Sequence, residues 1–321
     1  MPDVLVLSGA DVRRVLTPDD CIDVMATVLA ARARGEAFMP LRSMMDAPGA
    51  NGFMGLMPAW SSEAGFALKA ICVMPGNPAR GLDAHQGTVT LFHGETGIPT
   101  AILDASAVTE IRTAAVSAVA TRALARADAS VLAVLGAGVQ GRSHIEALRL
   151  VRPFTEVRVF APTREHAQAL AGDGVLVADS AEAAVRGADV VVCATSSRTP
   201  VLERAWLSAG AHVNAVGASE PTARELDTAT VAGASWFADS RESLEHEAGE
   251  FALAIREGAI SGLDHLRGEL GDVLIGAVPG RTDRTELTVF RSLGLAVEDL
   301  AAAQFAVAGA RRLGLGVEVA L

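Results

Sequence analysis

Short apolar segments alternate with helical segments through the second half of the chain. From about residue 130 the apolar segments are VLAVLG, EVRVFA, GVLVA, ADVVVCAT, AHVNAVG and ASWFAD. Apolar strands that alternate with helices are typical of a parallel sheet with helices on both faces. This part of the sequence therefore predicts a doubly wound α/β domain.

The first 120 residues or so mix helix and strand signals. TPDDCIDVMATVLAARARG has helical spacing, with Thr17 as a candidate N-cap. FALKAICVM and GTVTLFHGETGIPTAIL are predicted strands, the second with a hairpin around HGETG. TEIRTAAVSAVATRALA is a predicted helix, and alanine-rich sequence predicts a last helix at about 296–313. With 321 residues the chain is long enough for two domains.

The charge and the apolar runs exclude some classes of protein. A net charge of −11 argues against non-specific nucleic-acid binding, which requires a basic face. No apolar run approaches the roughly 20 residues of a membrane span, and the N-terminus lacks the basic start of a signal peptide. Three widely spaced cysteines indicate neither a disulfide framework nor a zinc site. We expect a cytoplasmic protein without a metal, nucleic-acid or membrane partner.

A glycine pattern marks the beginning of the doubly wound domain. VLAVLGAGVQGRSHIEAL places Gly136, Gly138 and Gly141 in G-x-G-x-x-G spacing, after an apolar strand and at the start of a helix. There the first glycine permits a tight turn, the second lets a pyrophosphate approach the backbone, and the third lets helix and strand pack closely. The helix N-terminus supplies amide donors for phosphate. The segment predicts a Rossmann dinucleotide site; a glycine-rich turn without a ligand is the alternative.

The end of the next strand bears on the choice between NAD and NADP. An NAD site usually carries an acidic residue there, which binds the ribose 2′-hydroxyl. This strand ends VRVFAPTREHA, with Thr163 and Arg164 in place of the acid. A hydroxyl and a guanidinium suit a 2′-phosphate, so we predict NADPH over NADH. The alternative is that Arg164 is a solvated residue at the start of a helix.

Lys69 is the only lysine among the 27 basic residues of the chain. It lies between Phe66, Leu68, Ile71 and Val73 in an apolar strand, so at least one face of that strand is expected to be buried. Burial lowers the pKa of a lysine, and an ammonium can donate a proton where a guanidinium cannot. We therefore expect a catalytic role for Lys69; a lysine on a strand edge with its head group in solvent is the alternative.

Several motifs in order along nearly the whole chain resemble the ornithine cyclodeaminase/μ-crystallin family. They are PLR (40–42), LKA (68–70), HQGTVTLF (85–92), RTAAVSA (112–118), GAGVQGRSH (136–144), VNAVGAS (213–219), ELGDVLIG (269–276) and TVFRSLGLAVEDLAAA (288–303). The resemblance implies a Rossmann domain, residues 123–299, inserted into an α+β substrate and dimerisation domain, residues 1–122 and 300–321. It also implies a homodimer that acts on α-amino or α-imino acids with a nicotinamide cofactor.

The resemblance assigns roles to individual residues. Arg42, Lys69 and Arg112 match the positions that hold a substrate carboxylate, and a guanidinium can grip a carboxylate with two hydrogen bonds. Further expected cofactor contacts are Thr113, Val139, Gln140, Ala194, Thr195, Ser196, Val216 and Ala218. His85 is a candidate proton shuttle or a structural histidine, and Glu247 is a candidate site residue or part of a solvated face.

One departure from the cyclodeaminases narrows the expected reaction. They carry an aspartate after VNAVG that works on the substrate amine, whereas this chain has Ser219 at that position. Serine without a partner is a poor base, so the sequence resembles the ketimine reductase branch more closely. We expect NADPH-dependent reduction of a cyclic imino acid, Δ1-piperideine-2-carboxylate or Δ1-pyrroline-2-carboxylate. The alternatives are a cyclodeaminase, an amino-acid dehydrogenase and a non-catalytic NADPH-dependent binding protein.

The sequence does not define the shape of the substrate pocket. Four methionines near the expected carboxylate site are candidates for shaping specificity, or they fill the core. They are Met44, Met45, Met54 and Met57.

Overall fold

The structure, a computed structural model, describes residues 3–320. These residues divide into two compact units. The first unit comprises residues up to 112 together with those from 294 onward, and the second comprises residues 113–293. The sequence placed the boundaries after residues 122 and 299. Those positions lie inside two helices, Ala105–Leu124 and Ala296–Leu313, where an uninterrupted helical pattern carries no boundary signal.

The first unit is built on a mixed sheet. Its strands are β1 (Val4–Leu7), β2 (Ala37–Phe38), β3 (Ser43–Met45), β4 (Phe53–Ser61), β5 (Gly65–Val73), β6 (His85–Phe92), β7 (Pro99–Asp104) and β16 (Val317–Val319). The order is β16-β1-β7-β6-β5-β4-β2, with β3 paired to β4. Its helices are α1 (Gly9–Val15), α2 (Pro18–Ala33), the first part of α3 (Ala105–Leu124) and α11 (Ala296–Leu313). A 3₁₀ turn spans Pro78–Arg80.

Several predicted elements of the first unit are confirmed. Thr17 caps α2 by accepting a hydrogen bond from Asp20 N, and the HGETG segment joins the antiparallel strands β6 and β7. The predicted last helix is α11, which packs against α2 and against β4, β5 and β6. Since residues alternate between the two faces of a strand, the buried residues of β5 lie on one face, and Lys69 is among them.

The second unit is the predicted doubly wound domain. Its strands are β8 (Val131–Leu135), β9 (Glu156–Phe160), β10 (Val175–Val177), β11 (Val190–Cys193), β12 (His212–Ala215), β13 (Ser235–Ala238), β14 (Leu266–Glu269) and β15 (Thr288–Arg291). Its helices are α4 (Val139–Val151), α5 (Arg164–Gln168), α6 (Ala181–Val185), α7 (Thr228–Ala232), α8 (Arg241–Glu247), α9 (Gly249–Arg256) and α10 (Leu270–Leu274), with 3₁₀ turns at Arg204–Trp206 and Leu263–His265.

All pairs in this second sheet are parallel, in the order β10-β9-β8-β11-β12-β15-β13-β14. The strand order reverses between β8 and β11, which is where doubly wound sheets bind ligands. Alanine and valine are the commonest buried apolar residues of this unit. The indole of Trp236 is fully buried, donates to Val231 O over 2.9 Å and meets the ring of Phe251 edge to face. Among the described residues, no helix has the length and apolar character needed to cross a membrane.

Candidate active site

Lys69 lies in the core of the first unit, where only 2% of its side chain is exposed. It projects from the buried face of β5, between Ala67 and Ile71 along the strand. Its Nζ donates to Asp299 Oδ1 over 3.1 Å, and Asp299 belongs to the first turns of α11. The interpretation of Lys69 as a surface lysine is therefore wrong, and the expected burial of its strand is confirmed.

Arg112 shares the same acceptor. Its Nε donates to Asp299 Oδ1 over 3.1 Å, and its Nη1 donates to Glu298 Oε2 over 2.7 Å. Glu298 Oε2 also accepts a hydrogen bond from Leu295 N, so it satisfies one of the open amides at the start of α11. The two acids of α11 thus hold Lys69 and Arg112 side by side, with all four side chains buried.

Gly294 contacts both Arg42 and Arg112. Its carbonyl accepts a hydrogen bond from Arg42 Nη2 over 3.1 Å. Its φ of 82° lies in the region that favours glycine, and a Cβ there would stand 2.6 Å from Arg112 Nη1. The chain therefore needs glycine at this position both for its backbone conformation and for the close approach of Arg112.

We call Arg42, Lys69, Arg112, Glu298 and Asp299 the carboxylate cluster. Lys69, Arg112 and the two acids are buried and paired with one another, whereas Arg42 is half-buried and donates to Gly294 O. The two guanidinium groups and the ammonium are donors that suit a ligand carboxylate.

Burial lowers the pKa of Lys69 to about 8, and the positive charges of Arg112 and Arg42 act in the same direction. The carboxylate of Asp299 opposes this shift through its charge and its hydrogen bond. Lys69 is thus mostly protonated at pH 7 but titrates closer to neutrality than an ordinary lysine, as a proton donor requires.

His85 lies near this cluster at the start of β6. The residue is exposed overall, yet partial desolvation of its ring and the charges of Lys69 and Arg112 lower its pKa. Both effects favour the neutral form of its imidazole. Ser106 Oγ donates to the backbone carbonyl of His85, which ties the end of the strand to α3.

Sequence reasoning gives no role to Glu298, Asp299 or Gly294, which lie in the TVFRSLGLAVEDLAAA motif of the family resemblance. The one available signal is that a buried lysine requires an acidic partner from elsewhere in the chain. That requirement does not indicate which acid is the partner.

The predicted glycine turn has the geometry of a nucleotide site. A Cβ on Gly136 would stand 2.3 Å from Ala194 O, and a Cβ on Gly141 would stand 2.1 Å from Gly136 O. A Cβ on Gly138 would meet no atom within 4 Å, so the turn is open on the side where a pyrophosphate would approach. Gly138 is also the N-cap of α4, and it makes no side-chain cap to the first amides of that helix. These residues fit a dinucleotide. Val139 is exposed and Gln140 half-buried beside this turn.

The loops after β11 and β12 contain most of the other predicted cofactor contacts. Ala194 and Thr195 are half-buried and Ser196 is exposed after β11, while Val216 and Ala218 are half-buried after β12. Ala218 has a φ of 55°, an uncommon conformation for alanine that often accompanies functional loops. Ser219 follows it and is exposed. Thr113 is buried on α3.

Thr163 and Arg164 are exposed at the end of β9, as expected of residues that read the ribose. Arg164 Nη1 pairs with Asp179 Oδ1 over 2.9 Å, and both side chains are well exposed. Exposed pairs of this kind contribute little to stability.

The remaining candidates differ in their surroundings. Glu247 is half-buried at the end of α8. Met57 is buried and fills the core, and Met54 is half-buried. Met44 and Met45 are about half exposed on β3, which leaves them available for contacts with other molecules.

Comparison with known proteins gives one consistent result. The model of the ornithine cyclodeaminase/mu-crystallin family matches residues 3–311. The ketimine reductase mu-crystallin of Mus musculus is 41% identical over 275 residues, with 84% of each chain covered. The structure of Thermococcus litoralis Δ(1)-pyrroline-2-carboxylate reductase in complex with NADH and L-proline is 31% identical, with a TM-score of 0.96 and 98% of this chain and 100% of that chain covered. An archaeal alanine dehydrogenase dimer with bound NAD is 31% identical, with a TM-score of 0.94 and 99% of each chain covered.

Replacing Gly294 with alanine tests the packing of Arg112. We expect Gly294→Ala to lower the free energy of unfolding clearly more than Gly35→Ala does. Gly35 has a similar φ of 78°, but a Cβ there would meet no atom within 4 Å, so it reports the backbone strain alone, which costs about 1 kcal/mol. Urea unfolding followed by circular dichroism measures both variants. Equal losses of unfolding free energy in the two variants would show that the packing of Arg112 does not require the absence of a Cβ at Gly294.

Proposed function

The chain belongs to the ornithine cyclodeaminase/mu-crystallin family, and from this premise we propose that it is an NAD(P)H-dependent reductase of α-imino acids. The observation that carries the proposal is the carboxylate cluster, which combines two guanidinium groups with a buried lysine that can give up a proton near neutral pH. The relatives named for ketimine and pyrroline-2-carboxylate reduction support the reaction type.

In this proposal each residue of the site has a separate role. Arg42 and Arg112 hold the carboxylate of the imino acid, which fixes one end of the substrate. Lys69 orients the imine and supplies the proton that its nitrogen needs. Ser219 donates a hydrogen bond to that nitrogen or to a water. A nicotinamide cofactor bound in the second unit supplies the hydride to the imine carbon, and Gly136, Gly138 and Gly141 hold its pyrophosphate.

A cyclic ketimine, Δ1-piperideine-2-carboxylate or Δ1-pyrroline-2-carboxylate, is the substrate we favour. Ser219 stands where a cyclodeaminase has the aspartate that works on the substrate amine, and reducing an imine that is already formed needs no such base. The alanine dehydrogenase among the relatives makes amino-acid oxidation and its reverse the second candidate. Both reactions use the same carboxylate cluster.

We also propose NADPH as the preferred cofactor. Thr163 and Arg164 replace the acidic residue that would bind the ribose hydroxyls and would repel a 2′-phosphate. The related structures contain NADH and NAD, so those proteins use the cofactor without the phosphate. For this chain the preference rests on the exposed side chain of Arg164, whose surface ion pair with Asp179 a 2′-phosphate would have to replace.

A homodimer formed through the first unit is part of the proposal, as is a cytoplasmic location. Phe38, Trp60, Phe66 and Phe92 are neighbours across β2, β4, β5 and β6 and therefore share one face of the sheet. Phe38 is 65% and Phe66 48% exposed. Trp60 and Phe92 are half-buried, so two of the four rings are well exposed. Exposed aromatic rings on one face are typical of an interaction surface, and a dimeric relative supports the formation of a dimer.

Turnover is tested by nicotinamide oxidation with NADPH and NADH in parallel. The panel holds both cyclic ketimines and pyruvate with methylamine, and ammonia release from ornithine and lysine is followed separately. We expect a cyclic ketimine to be reduced with NADPH, and Arg164→Ala to weaken NADPH binding about tenfold while changing NADH binding little. Arg186→Ala, which removes another exposed arginine of the second unit, is the control.

Other results of this panel would change the assignment. Ammonia release without added reductant would indicate a cyclodeaminase. Tight cofactor binding without any turnover would indicate a binding protein. Tighter binding of NADH than of NADPH would contradict the proposed cofactor preference but not the reaction.

The pH dependence of turnover tests Lys69. Because only protonated Lys69 donates, kcat/KM for reduction should fall about tenfold per pH unit above pH 8. Asp299→Asn removes the charge that raises the pKa of Lys69, so the decline should begin at lower pH. Lys69→Met should abolish reduction and leave cofactor binding intact. Glu318→Gln, an exposed carboxyl of the same unit, is the control. A decline at the same pH in Asp299→Asn would remove Asp299 from the mechanism.

The aromatic row predicts how the dimer can be broken. Phe66→Glu places a charge in the middle of the row, and we expect it to raise the dissociation constant of the dimer about thirtyfold or more. Leu150→Glu alters an apolar side chain of similar exposure in the second unit and should leave the dimer intact. Sedimentation velocity at several protein concentrations measures both. A Phe66→Glu variant as dimeric as the parent would place the interface elsewhere.

A further inference from the structure

The second unit contains a buried ionic network that the proposed reaction does not use. Glu225, Glu250 and Arg291 are all 0% exposed. Glu225 Oε1 accepts hydrogen bonds from Thr195 N and Thr195 Oγ1, both over 2.7 Å. The amide of Glu225 donates to Glu250 Oε1 over 3.0 Å. Arg291 Nε lies 3.4 Å from Glu250 Oε2, which is an ion pair too long for a good hydrogen bond.

The network fixes the loops that carry the predicted nicotinamide contacts. Glu225 holds Thr195, in the loop after β11. Arg291 donates to Ala215 O over 2.9 Å and to Ala218 O over 2.8 Å, at the end of β12 and in the loop that follows. The two loops touch above Glu225, because a Cβ on Gly217 would stand 2.1 Å from Thr195 O and 2.7 Å from Glu225 Oε1.

The charges of this network do not balance. Two carboxylates face one guanidinium, so one negative charge is uncompensated when both acids are ionised. Glu225 Oε2 is buried and has no hydrogen-bond partner among residues 3–320. Burial raises the pKa of Glu225 to about 7, with Glu250 adding to the shift and Thr195 and Arg291 opposing it. Burial, followed by the charges of Glu225 and Glu250, holds the pKa of the Cys193 thiol on β11 well above its ordinary value, so that thiol stays neutral.

A positive charge bound near these loops would compensate the network. The nicotinamide ring carries a positive charge in the oxidised cofactor and none in the reduced one. An ionised Glu225 therefore favours the oxidised form, and a protonated Glu225 removes that advantage. The Coulomb energy between a buried carboxylate and a cation several ångströms away corresponds to a change in affinity of about tenfold.

We propose that Glu225 is a positioning residue of the cofactor site, which holds the loop of Thr195 and favours the oxidised over the reduced nicotinamide when its carboxylate is ionised. This inference rests on the proposed function, because it requires that the second unit binds a nicotinamide cofactor. In this proposal a buried acid influences which redox form of the cofactor binds more tightly, and therefore the direction of the reaction. Acidic conditions would favour binding of the reduced cofactor, and thus reduction of the imine.

The test measures dissociation constants by isothermal titration calorimetry between pH 6 and 9. NADP⁺ and NADPH are used, or NAD⁺ and NADH if the protein binds those more tightly. Both redox forms carry the same phosphates, so the ratio of their constants isolates the charge of the ring. For the unaltered protein we expect this ratio to shift about tenfold towards the oxidised form as pH rises through 7.

Glu225→Gln keeps the shape and an acceptor for Thr195 but cannot ionise. We expect it to remove the shift near pH 7 and to retain the binding of the reduced cofactor. Thr195→Val deletes one hydrogen bond to the carboxylate, so the shift should persist with its midpoint at higher pH, which a merely structural role would not produce. Glu245→Gln, an exposed carboxyl on α8, should behave like the unaltered protein.

The outcomes separate this inference from the proposed function. If the unaltered protein binds neither redox form, the proposed function itself fails. If it binds both and Glu225→Gln keeps the same pH-dependent ratio, the role of Glu225 is refuted. A variant that weakens both redox forms equally at every pH would also refute it. Should Glu225→Gln fail to fold, an unmoved midpoint in Thr195→Val would decide against the inference.

Discussion

Asp299 Oδ1 accepts hydrogen bonds from both Lys69 Nζ and Arg112 Nε in the core of the first unit. Without Asp299 and Glu298, two buried cations would lie side by side, and their desolvation and mutual repulsion would destabilise the fold. These acids come from the last long helix of the chain, 230 residues after Lys69. The first unit is therefore incomplete until the chain has passed through the whole second unit and returned as α11. This requirement accounts for a division in which one unit is made from both ends of the sequence.

Buried carboxylates hold different groups in the two units. In the first, Asp299 and Glu298 pair with the buried cations Lys69 and Arg112. In the second, Glu250 pairs with Arg291, and Glu225 accepts hydrogen bonds from Thr195. Buried ion pairs contribute little net stability, but loss of one partner leaves the other buried and unpaired. Both networks therefore fix the positions of side chains and loops more than they stabilise the core.

The sequence predicted those features that depend on local pattern. The alternation of apolar strands and helices, the hairpin at HGETG and the helix from 296 to 313 are confirmed, because each depends on spacing within a few residues. The glycine turn could be predicted for the same reason, because its glycines lie within six residues of one another. Lys69 could be singled out by its rarity, and the structure confirms that it is buried. The roles of Arg42 and Arg112 could be predicted only from the family resemblance, because local sequence does not show which group an arginine side chain will contact.

The acidic partners could not be predicted, because their function is defined only by contacts across long separations in the chain. Glu298 and Asp299 read as ordinary residues of a helix first turn, and Glu225 reads as a loop acid beside Arg224. Only the folded chain shows that these carboxyls are buried and that they face cations or backbone donors. The net charge of each cluster, which decides what kind of ligand it can accept, is therefore a property of the tertiary structure.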